Sequence, residues 1–502
     1  MFNKLLIANR GEIAVRIINT AKEMGLKTVS VYSEFDRYSL HTQLSDEAYF
    51  IGESPASQSY LSAEKIIEAA KKSKADAIHP GYGFLSENPK LAEICKKEGL
   101  IFVGPPVKAM NVSGDKARAR KIASKVAPVV DGEEISNEAQ AITLAEKIGY
   151  PVILKAVEGG GGRGLRIVNS SEELSKALIS SINESTISFG SGRIYVEKYV
   201  QNPRHIEVQI LADDLSVIQL GERECSIQRR HQKLIEESPS AALTSEMRSR
   251  ITKAAIEVMK EIGYQNAGTV EFLFKNGKFY FMEVNARIQV EHPVTEEVTG
   301  VDIVEQQLNI ALGNGLSLRQ EDVKVRGHAI ECRINTEHPL TFVPFAGTVK
   351  KLAVPTGDGI RVDTSLYSGY SIPVFYDSLI AKMICFANNR IETIEKMKAS
   401  LKSFKISGIP STIPFHISAL NDKRFVEGKY DTSFIDNIET FSSKDGEIAA
   451  AIFYILPKKT KFIKPEENQQ DPWMKSRFDW IDTFDILYNN NNNNSDTNRW
   501  AI

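Results

Sequence analysis

The first 110 residues alternate short apolar runs with amphipathic helical patterns. Ile13, Ile17 and Ala21 recur at helical spacing between the first two apolar runs. The apolar runs lie at 4–8, 27–32, 76–79 and 100–103, and a second helical pattern lies at 62–73. Strands that alternate with helices in this way predict a parallel, doubly wound sheet. Asn9–Glu12 follows the first strand, where such sheets bind ligands, although a plain turn and helix start explains it equally well.

The pattern changes near residue 113 and again near 326. Helical patterns follow at 116–125, 137–148, 171–183, 246–262 and 390–403. Strand patterns lie at 151–157, 165–168, 193–199, 205–212, 267–274, 278–285, 328–334, 347–352 and 371–385. We therefore predict an α/β chain divided into segments 1–112, 113–325, 326–440 and 441–502. The third of these is a mixed, β-rich segment.

The last segment carries two separate signals. An apolar stretch with Trp473 and Trp480 lies within 445–480, and we predict that it docks a partner. Asn489–Asn494 is a low-complexity run, and we predict that this end is disordered.

The composition bears on the class of function and says less about the fold. Among 502 residues, 62 Lys+Arg nearly balance 64 Asp+Glu, so no global charge predicts nucleic-acid or membrane partners. Because no apolar run approaches about 18 residues, we expect no transmembrane helix. The four cysteines lack a C-x-x-C pair, which predicts neither a zinc site nor a disulfide framework and favours a reducing, cytoplasmic location.

A glycine-rich stretch between two strands is the first chemical signal. Four consecutive glycines begin at Gly159, and Gly164 precedes the strand LRIV. Glycines let backbone N–H groups approach phosphate oxygens, and Lys155, Arg163 and Arg166 add positive charge. Because a strand follows and no Lys-Ser/Thr does, the loop caps a β-hairpin rather than forming a Walker A loop. We predict a mobile Gly-rich lid over a polyphosphate; the alternative is a flexible hairpin without a ligand.

The next signal is a pair of acids on two strands joined by Asn276-Gly277. Glu271 interrupts an apolar strand, and Glu283 and Asn285 share one face of the following strand. These oxygens suit Mg²⁺ held together with substrate phosphates. A two-residue turn would place the two acids on opposite faces, whereas a three-residue loop with Gly277 in a bulge would place them on one face. The metal hypothesis therefore predicts a bulge at Gly277; the alternative is two acids on a solvent-exposed face.

The segment after these acids continues the alternation. We predict that the strand extends through Arg287, Gln289 and Glu291, with all three on one face. A cation, an amide and a carboxylate beside a nucleotide site suit binding and deprotonation of a small oxyanion, with Glu291 as the base. The alternative is a structural ion pair. Arg333, in a β-like segment, and the basic cluster 228–233 are further candidates, the latter either a site or a solvated loop.

A set of motifs together resembles one enzyme family. The motifs are IANRGEIAVRI (7–17), HPGYGFLSEN (79–88), GDKARAR (114–120), GGGGRGLR (159–166), EKYVQNPRHIEVQ (197–209), CSIQRRHQK (225–233), GTVEFLF (268–274), EVNARIQVEHPVTE (283–296) and HAIECRIN (328–335). In this order they look like the biotin carboxylase component of biotin-dependent carboxylases, an ATP-grasp enzyme. The resemblance covers about residues 1–440. It implies an N-terminal pre-ATP-grasp domain, an ATP-grasp domain with its lid at about 128–200, and a C-terminal biotin carboxylase domain.

The resemblance also implies roles for individual residues. The implied ATP contacts are Lys116, Lys155, Gly160, Gly161, Gly162, Gly164, Glu197, Lys198, Val200, His205, Gln228 and His231. The implied ligands of Mg²⁺ or Mn²⁺ are Glu271, Glu283 and Asn285. The implied bicarbonate contacts are Arg287, Gln289 and the backbone of Val290. Glu291 matches the base, Lys233 a lysine near the transferring phosphate, and Arg333 the arginine that steadies the enolate oxygen of biotin.

The implied reaction uses ATP to convert bicarbonate to carboxyphosphate, which releases CO₂ for attack by biotin in a closed site. No Ala-Met-Lys-Met biotinylation motif and no transferase-sized remainder are present. We therefore expect a homodimeric subunit that meets a separate biotin carboxyl carrier protein and a carboxyltransferase subunit. Acetyl-CoA or propionyl-CoA is favoured over pyruvate as the final acceptor.

Two other functions stay open at this point. One is a different ATP-grasp ligase, such as half of a carbamoyl-phosphate synthetase or a purine-biosynthesis ligase. The other is a nucleotide-binding regulatory subunit with an inactive site. The segments RIQVEHPVTE and ECRIN favour biotin carboxylase over the first. The second is opposed by the presence of Lys155, Glu271, Glu283, Glu291 and Arg333.

Overall fold

A computed structural model of the chain describes residues 2–157, 165–230 and 232–438. The predicted docking segment and the low-complexity end lie outside these residues. Within them, no helix combines the length and the apolarity needed to cross a bilayer.

The N-terminal part is a five-stranded parallel sheet with helices around it. Its strands are β1 (Lys4–Ile7), β2 (Lys27–Ser33), β3 (Glu47–Gly52), β4 (Ala77–His79) and β5 (Ile101–Phe102), in the order β3-β2-β1-β4-β5. Its helices are α1 (Gly11–Glu23), α2 (Leu40–Leu44), α3 (Ala63–Ser73), α4 (Pro89–Lys97) and α5 (Val107–Gly114). Strand β1 pairs in parallel with β2 on one side and with β4 on the other, which confirms the predicted doubly wound sheet. Strand β3 escaped prediction because it is a partly exposed edge strand with little apolar pattern.

The amphipathic pattern of α1 explains how this sheet acquires a core. Ile13, Ile17 and Ala21 are almost completely buried and pack with Leu5 and Ile7 of β1. Three apolar side chains at helical spacing thus face one side of the sheet, as the sequence predicted.

A second, antiparallel sheet follows helix α6 (Lys116–Ala123). It contains β6 (Gly132–Ile135), β7 (Val152–Ala156), β8 (Leu165–Val168) and β9 (Ile194–Lys198), in the order β6-β9-β7-β8, with α7 (Glu138–Ile148) and α8 (Ser171–Phe189). Val152 pairs with Val168 and Lys155 with Leu165, so β7 and β8 form the predicted hairpin. The glycines of its loop, within 158–164, lie outside the described residues.

The largest sheet has eight strands in the order β14-β13-β10-β11-β12-β15-β20-β18. They are β10 (Arg204–Ala212), β11 (Val217–Arg229), β12 (Gln232–Ser238), β13 (Asn266–Lys275), β14 (Lys278–Asn285), β15 (His328–Asn335), β18 (Ile360–Thr364) and β20 (Leu379–Ala387). Helices α9 (Ser245–Ile262), α10 (His292–Thr299) and α11 (Ile303–Ala311) accompany it. Because β12 pairs with β15, one sheet joins residues from both sides of the predicted boundary near 326.

The remaining elements surround the end of this sheet. They are β16 (Gly347–Thr348), β17 (Lys351–Ala353), β19 (Ser371–Ile372), β21 (Lys405–Ser407), α12 (Arg390–Ser403), α13 (Ile413–Asn421) and α14 (Lys423–Val426). Strands β16 and β19 pair with each other, as do β17 and β21. The mixed, β-rich character predicted for this segment is confirmed.

Candidate active site

The hairpin of β13 and β14 places Glu271 opposite Glu283, but not in the way the sequence predicted. Lys275 pairs with Lys278, so Asn276 and Gly277 form a two-residue turn in which both have positive φ. The predicted three-residue loop with a bulge at Gly277 is therefore wrong. Two residues in the left-handed region suit a type I′ turn, whose twist matches that of the strands.

The bulge lies farther along the hairpin. Phe272 pairs with Phe281 while Glu271 pairs with Glu283, which leaves Met282 as the extra residue on β14. An extra residue reverses the facing of all later side chains on its strand. The predicted shared face is therefore reached through a bulge at Met282, directly beside the acids.

Glu271 is buried and contacts three polar side chains. Its Oε1 accepts hydrogen bonds from Lys233 Nζ at 2.9 Å and from Asn285 Nδ2 at 2.8 Å. His205 Nε2 lies 2.8 Å from its Oε2. Burial by itself raises the pKa of Glu271, but Lys233 and His205 outweigh burial and hold it well below its ordinary value. The carboxylate is therefore ionised at neutral pH.

The three predicted metal ligands supply a donor set that fits Mg²⁺ or Mn²⁺. Glu271 and Glu283 are cross-strand neighbours, and Asn285 contacts Glu271. Their hard oxygens at the end of a rigid hairpin suit such an ion. In the structure, Lys116 Nζ lies 2.9 Å from Glu283 Oε2 and Lys233 contacts Glu271, so ammonium groups balance both carboxylates.

Lys233 joins three buried carboxylates. Its ammonium lies 2.5 Å from Glu207 Oε2, 2.9 Å from Glu271 Oε1 and 2.6 Å from Glu291 Oε1. Burial lowers the pKa of Lys233, but these carboxylates raise it well above its ordinary value. Ligand atoms of His205, Glu207 and Glu271 lie within 4.8 Å of one another beside this ammonium.

Glu291 is fully buried between two cations. Lys233 Nζ donates to its Oε1, and Arg333 Nη2 donates to its Oε2 at 2.8 Å. Burial raises the pKa of Glu291, but Lys233, Arg333 and Arg223 together hold it well below its ordinary value. The side chain is therefore a carboxylate, which is the form in which a general base accepts a proton.

The residues from Arg287 to Glu291 form an irregular loop, so the predicted continuation of the strand is wrong. Strand β14 ends at Asn285, and α10 begins at His292 with Pro293 in its first turn. Proline favours the first turn of a helix, which explains why the extended pattern stops here. Alternation along a strand consequently does not describe which way these side chains face.

The loop nevertheless brings Arg287 and Gln289 together. Arg287 Nη1 donates to Gln289 Oε1 at 3.2 Å, and its Nη2 donates to Asn285 Oδ1 at 3.2 Å. Glu291 pairs with Lys233 and Arg333, so the alternative of an Arg287–Glu291 ion pair does not occur. The backbone carbonyl of Val290 accepts a hydrogen bond from Lys382 Nζ at 2.9 Å, which anchors the loop to β20.

Most of the predicted nucleotide residues fall into three groups. Lys116 contacts Glu283, and His205 lies against Glu271, so both lie beside the acidic hairpin. Lys155 forms a close ion pair with Glu197 between the neighbouring strands β7 and β9. His231 and the glycines Gly160, Gly161, Gly162 and Gly164 lie outside the described residues.

Lys198, Val200 and Gln228 complete the predicted nucleotide set. Lys198 Nζ donates to the carbonyls of Gly149 and Tyr150 at 2.9 and 2.8 Å, so its side chain braces the β7 side of the sheet. Val200 follows β9 and is partly exposed. Gln228 pairs with Lys233 across β11 and β12, so the basic cluster forms the turn of a hairpin.

Several buried charges in this site were absent from the sequence predictions. Arg223 is fully buried, and its guanidinium binds Glu207 at 2.6 Å, Gln209 at 2.8 Å and Thr295 at 2.9 Å. The signal for Glu207 and Gln209 was available, since they alternate with apolar residues on β10 as Glu271 does on β13. Arg223 had no such signal, because β11 was not predicted.

The side chains of Asn9, Arg10 and Glu12, after β1, contact other residues of the protein. Asn9 Nδ2 donates to the carbonyls of Pro80 and Tyr82 at 2.7 Å, and Arg10 Nε donates to Asp36 Oδ2 at 2.6 Å. Glu12 Oε2 lies 3.2 Å from Lys382 Nζ. These contacts favour the turn and helix start over a ligand site.

Comparison with known proteins places this geometry in a family. Residues 1–110 match the model of the biotin carboxylase N-terminal domain, residues 115–319 that of the carbamoyl-phosphate synthase L chain ATP-binding domain, and residues 331–437 that of the biotin carboxylase C-terminal domain. Biotin carboxylase 1 of Bacillus subtilis is 49% identical over 450 residues, which cover 88% of this chain and 100% of the relative. The chain belongs to the biotin carboxylase family.

Two further family members are close in sequence or structure. A pyruvate carboxylase subunit of Methanothermobacter thermautotrophicus is 49% identical over 441 residues, covering 87% of this chain and 90% of the relative. The crystal structure of the biotin carboxylase domain dimer of Hydrogenobacter thermophilus 2-oxoglutarate carboxylase, with MgADP, ADP and bicarbonate, is 47% identical. It superimposes with a TM-score of 0.84 over 87% of this chain and 97% of that one. The suspected family is thus confirmed.

Proposed function

We propose that this chain uses ATP and bicarbonate to carboxylate biotin carried on a separate protein. The observation that supports this most is the ionised Glu291, held between Lys233 and Arg333 next to the paired acids Glu271 and Glu283. A carboxylate between two cations can accept the proton of bicarbonate, and the cations stabilise the negative charge that then develops.

The same proposal gives the surrounding residues their roles. The residues that bind ATP are Lys116, Lys155, Gly160, Gly161, Gly162 and Gly164 of the glycine loop, Glu197, Lys198 and Val200 at or just after the end of β9, and His205, Gln228 and His231. Glu271, Glu283 and Asn285 hold Mg²⁺ or Mn²⁺, which neutralises phosphate charge when bound. Arg287, Gln289 and the backbone of Val290 bind bicarbonate, and Arg333 receives the ureido oxygen of biotin.

We further propose that the chain is organised as the sequence predicted. The four segments are 1–112, 113–325 with a lid at about 128–200, 326–440 and 441–502. The parallel sheet, the separate β6–β9 sheet and the β-rich C-terminal elements support the first three. The second and third segments share the eight-stranded sheet, so both supply residues to the proposed site.

The partners belong to the proposal as well. We propose a homodimer that meets a biotin carboxyl carrier protein and a carboxyltransferase subunit in a reducing cytoplasm, with an acyl-CoA as acceptor. The free cysteines support the reducing location. The relatives named as pyruvate carboxylase and 2-oxoglutarate carboxylase subunits support an oxo acid as the alternative acceptor.

A chain ending at residue 440 tests the proposed docking by residues 445–480. It should keep activity on free biotin yet no longer co-elute with the complex. Unchanged co-elution would reject docking by this segment.

The decisive experiment measures ADP release by the purified full chain with Mg²⁺ and bicarbonate, with and without free biotin. We expect bicarbonate-dependent ATP cleavage that biotin stimulates, together with transfer of labelled bicarbonate carbon to biotin. Cleavage that biotin leaves unchanged would point to another ATP-grasp ligase. ATP binding without any cleavage would point to a regulatory subunit.

A further inference from the structure

Two buried carboxyl groups lie behind Arg333 and have no role in the proposed reaction. Strands β12 and β15 are antiparallel, and their register places Glu236 directly opposite Glu331. Both residues are fully buried. Directly opposed acids repel each other when both are ionised, so a buried pair of this kind favours a state with a single negative charge.

Glu236 holds one edge of the Arg333 guanidinium. Its Oε1 accepts a hydrogen bond from Arg333 Nε at 2.6 Å, while Arg333 Nη2 donates to Glu291 at 2.8 Å. The planar guanidinium is therefore fixed at two points by two carboxylates on different elements. Such charge-assisted contacts determine the orientation of the group as well as its position.

Glu331 has no comparable contact. Among the described residues, neither of its carboxyl oxygens has a hydrogen-bond partner. Burial, followed by the charge of nearby Glu236, raises the pKa of Glu331 well above its ordinary value, against the opposing effect of Lys382. In this pair, Glu236 therefore carries the negative charge that faces Arg333, whereas Glu331 is a neutral acid.

We propose that Glu236 is a positioning residue for the carboxylation of biotin, orienting Arg333 toward the ureido oxygen. This inference rests on the proposed function, which assigns biotin to Arg333. Glu236 contacts no substrate in this scheme and acts only through the guanidinium.

The charged and titratable groups around the pair come from five elements. They are Arg333 on β15, Lys233 on β12, Cys225 on β11, Lys382 on β20 and Glu291 in the loop before α10. Burial and Glu291 raise the pKa of Glu236, Arg333 and Lys233 lower it, and the balance is about 7. Glu236 therefore loses its negative charge as pH falls through about 7, and its hold on Arg333 weakens.

The test compares Glu236→Gln with the wild-type full chain in steady-state kinetics on free biotin. Loss of one charge-assisted hydrogen bond should raise KM for biotin about tenfold. KM for ATP and for bicarbonate, and ATP cleavage without biotin, should stay unchanged. An unchanged KM for biotin, or an equal rise in all three KM values, would overturn the inference.

The wild-type pH profile tests the same point without any substitution. KM for biotin should rise as pH falls through about 7. In Glu236→Gln this dependence should disappear, because an amide does not titrate. A wild-type KM for biotin that is flat across this range contradicts the proposal even if the variant fails to fold.

Two matched variants separate positioning from packing. Glu237→Gln changes the next residue of β12, whose carboxylate binds Arg390 at 2.7 Å and lies 2.8 Å from His328. It should lower thermal stability but not KM for biotin; a rise in KM matching that of Glu236→Gln would assign the effect to packing. Glu331→Gln replaces a neutral acid with a neutral amide and should leave KM for biotin unchanged; a tenfold rise would contradict the division of roles between Glu236 and Glu331.

Failure of the inference and failure of the proposed function give different results. If the wild-type chain shows no biotin-dependent turnover, the proposed function fails. If the wild type turns over biotin but Glu236→Gln behaves identically, only the role of Glu236 fails.

Discussion

At the scale of single residues, the site pairs buried carboxylates with a few buried cations. Lys233 contacts three of them, and Arg333 and Arg223 each contact at least one. Removing one partner of a buried pair leaves an uncompensated charge, which costs far more than the pair itself contributes. A single substitution here should therefore affect stability as well as chemistry.

Glu291→Gln should abolish turnover while leaving ATP binding nearly intact. The amide keeps the shape of the side chain but cannot accept a proton, so we expect kcat to fall by about 100-fold or more. The measurements are bicarbonate-dependent ADP release and ATP affinity by titration calorimetry. Glu257→Gln, on the exposed side of α9, is the control and should behave as wild type. Turnover within a few-fold of wild type would remove Glu291 as the base.

Lys233→Met should reverse the pH dependence of stability at the site. In the wild type, the lowered pKa of Glu291 means that its stabilising contribution is present above the unfolded pKa and is lost as pH falls. Without Lys233, burial raises the pKa of the same carboxylates, so stability should instead increase as pH falls toward about 5. We expect a loss of about 3–5 kcal/mol at neutral pH, measured by urea unfolding.

The control for this prediction is Lys125→Met, which removes an exposed ion pair with Glu261. Exposed pairs contribute about 0–1 kcal/mol, so its unfolding curve should nearly match that of the wild type at every pH. If the two variants show the same pH dependence, the Lys233 cluster does not control the ionisation of Glu291.

At the scale of elements, the β13–β14 hairpin decides whether two acids meet. Its two-residue turn at Asn276-Gly277 sets one register, and the bulge at Met282 then changes the facing of everything beyond it. The site therefore depends on one inserted residue that makes no contact with substrate in the proposed reaction.

Glu283→Gln should weaken the metal site while leaving the hairpin in place. Glu283 is the residue that the bulge brings opposite Glu271, and an amide there removes one of the two carboxylate ligands of the proposed site. We expect the Mg²⁺ concentration needed for half-maximal ATP cleavage to rise at least about tenfold, the scale of losing one good ligand. Gly277→Ala is the control: its φ of +70° makes alanine cost about 1–2 kcal/mol of stability, without changing the Mg²⁺ requirement. An unchanged Mg²⁺ requirement in folded Glu283→Gln would contradict the metal role of the paired acids.

At the scale of the whole molecule, Lys382 links segments from both ends of the described chain to the loop from Arg287 to Glu291. Its fully buried ammonium lies 3.2 Å from Glu12 of α1 and 3.6 Å from Asp363 of β18, and it donates to the Val290 carbonyl at 2.9 Å. Helix α1 and strand β18 thus both contact the lysine that anchors this loop.

Lys382→Met should therefore affect both folding and one substrate. It leaves Glu12 and Asp363 buried without their cation, and we expect a loss of about 3–5 kcal/mol in unfolding free energy. In the folded fraction, KM for bicarbonate should rise while KM for ATP does not, because Val290 loses its donor. Lys260→Met on the exposed face of α9 serves as the control. A destabilised variant with an unchanged KM for bicarbonate would limit Lys382 to a structural role.

The sequence by itself determined the element types, the parallel N-terminal sheet and the hairpin nature of the glycine loop. These follow from local periodicity and from which residues flank the glycines, and neither depends on distant contacts. The candidate residues Glu271 and Arg333 were also visible, because a charge within an apolar strand stands out wherever that strand lies.

Only the tertiary structure decided how those residues meet. The bulge at Met282 depends on packing along the hairpin, and the end of β14 at Asn285 depends on α10 beginning directly after the loop. The cations that ionise Glu291 come from strands far apart in the chain, since β12 and β15 become neighbours only in the folded sheet. A pKa depends on distances in space, and these distances are set by pairings between segments whose separation along the chain carries no local signal.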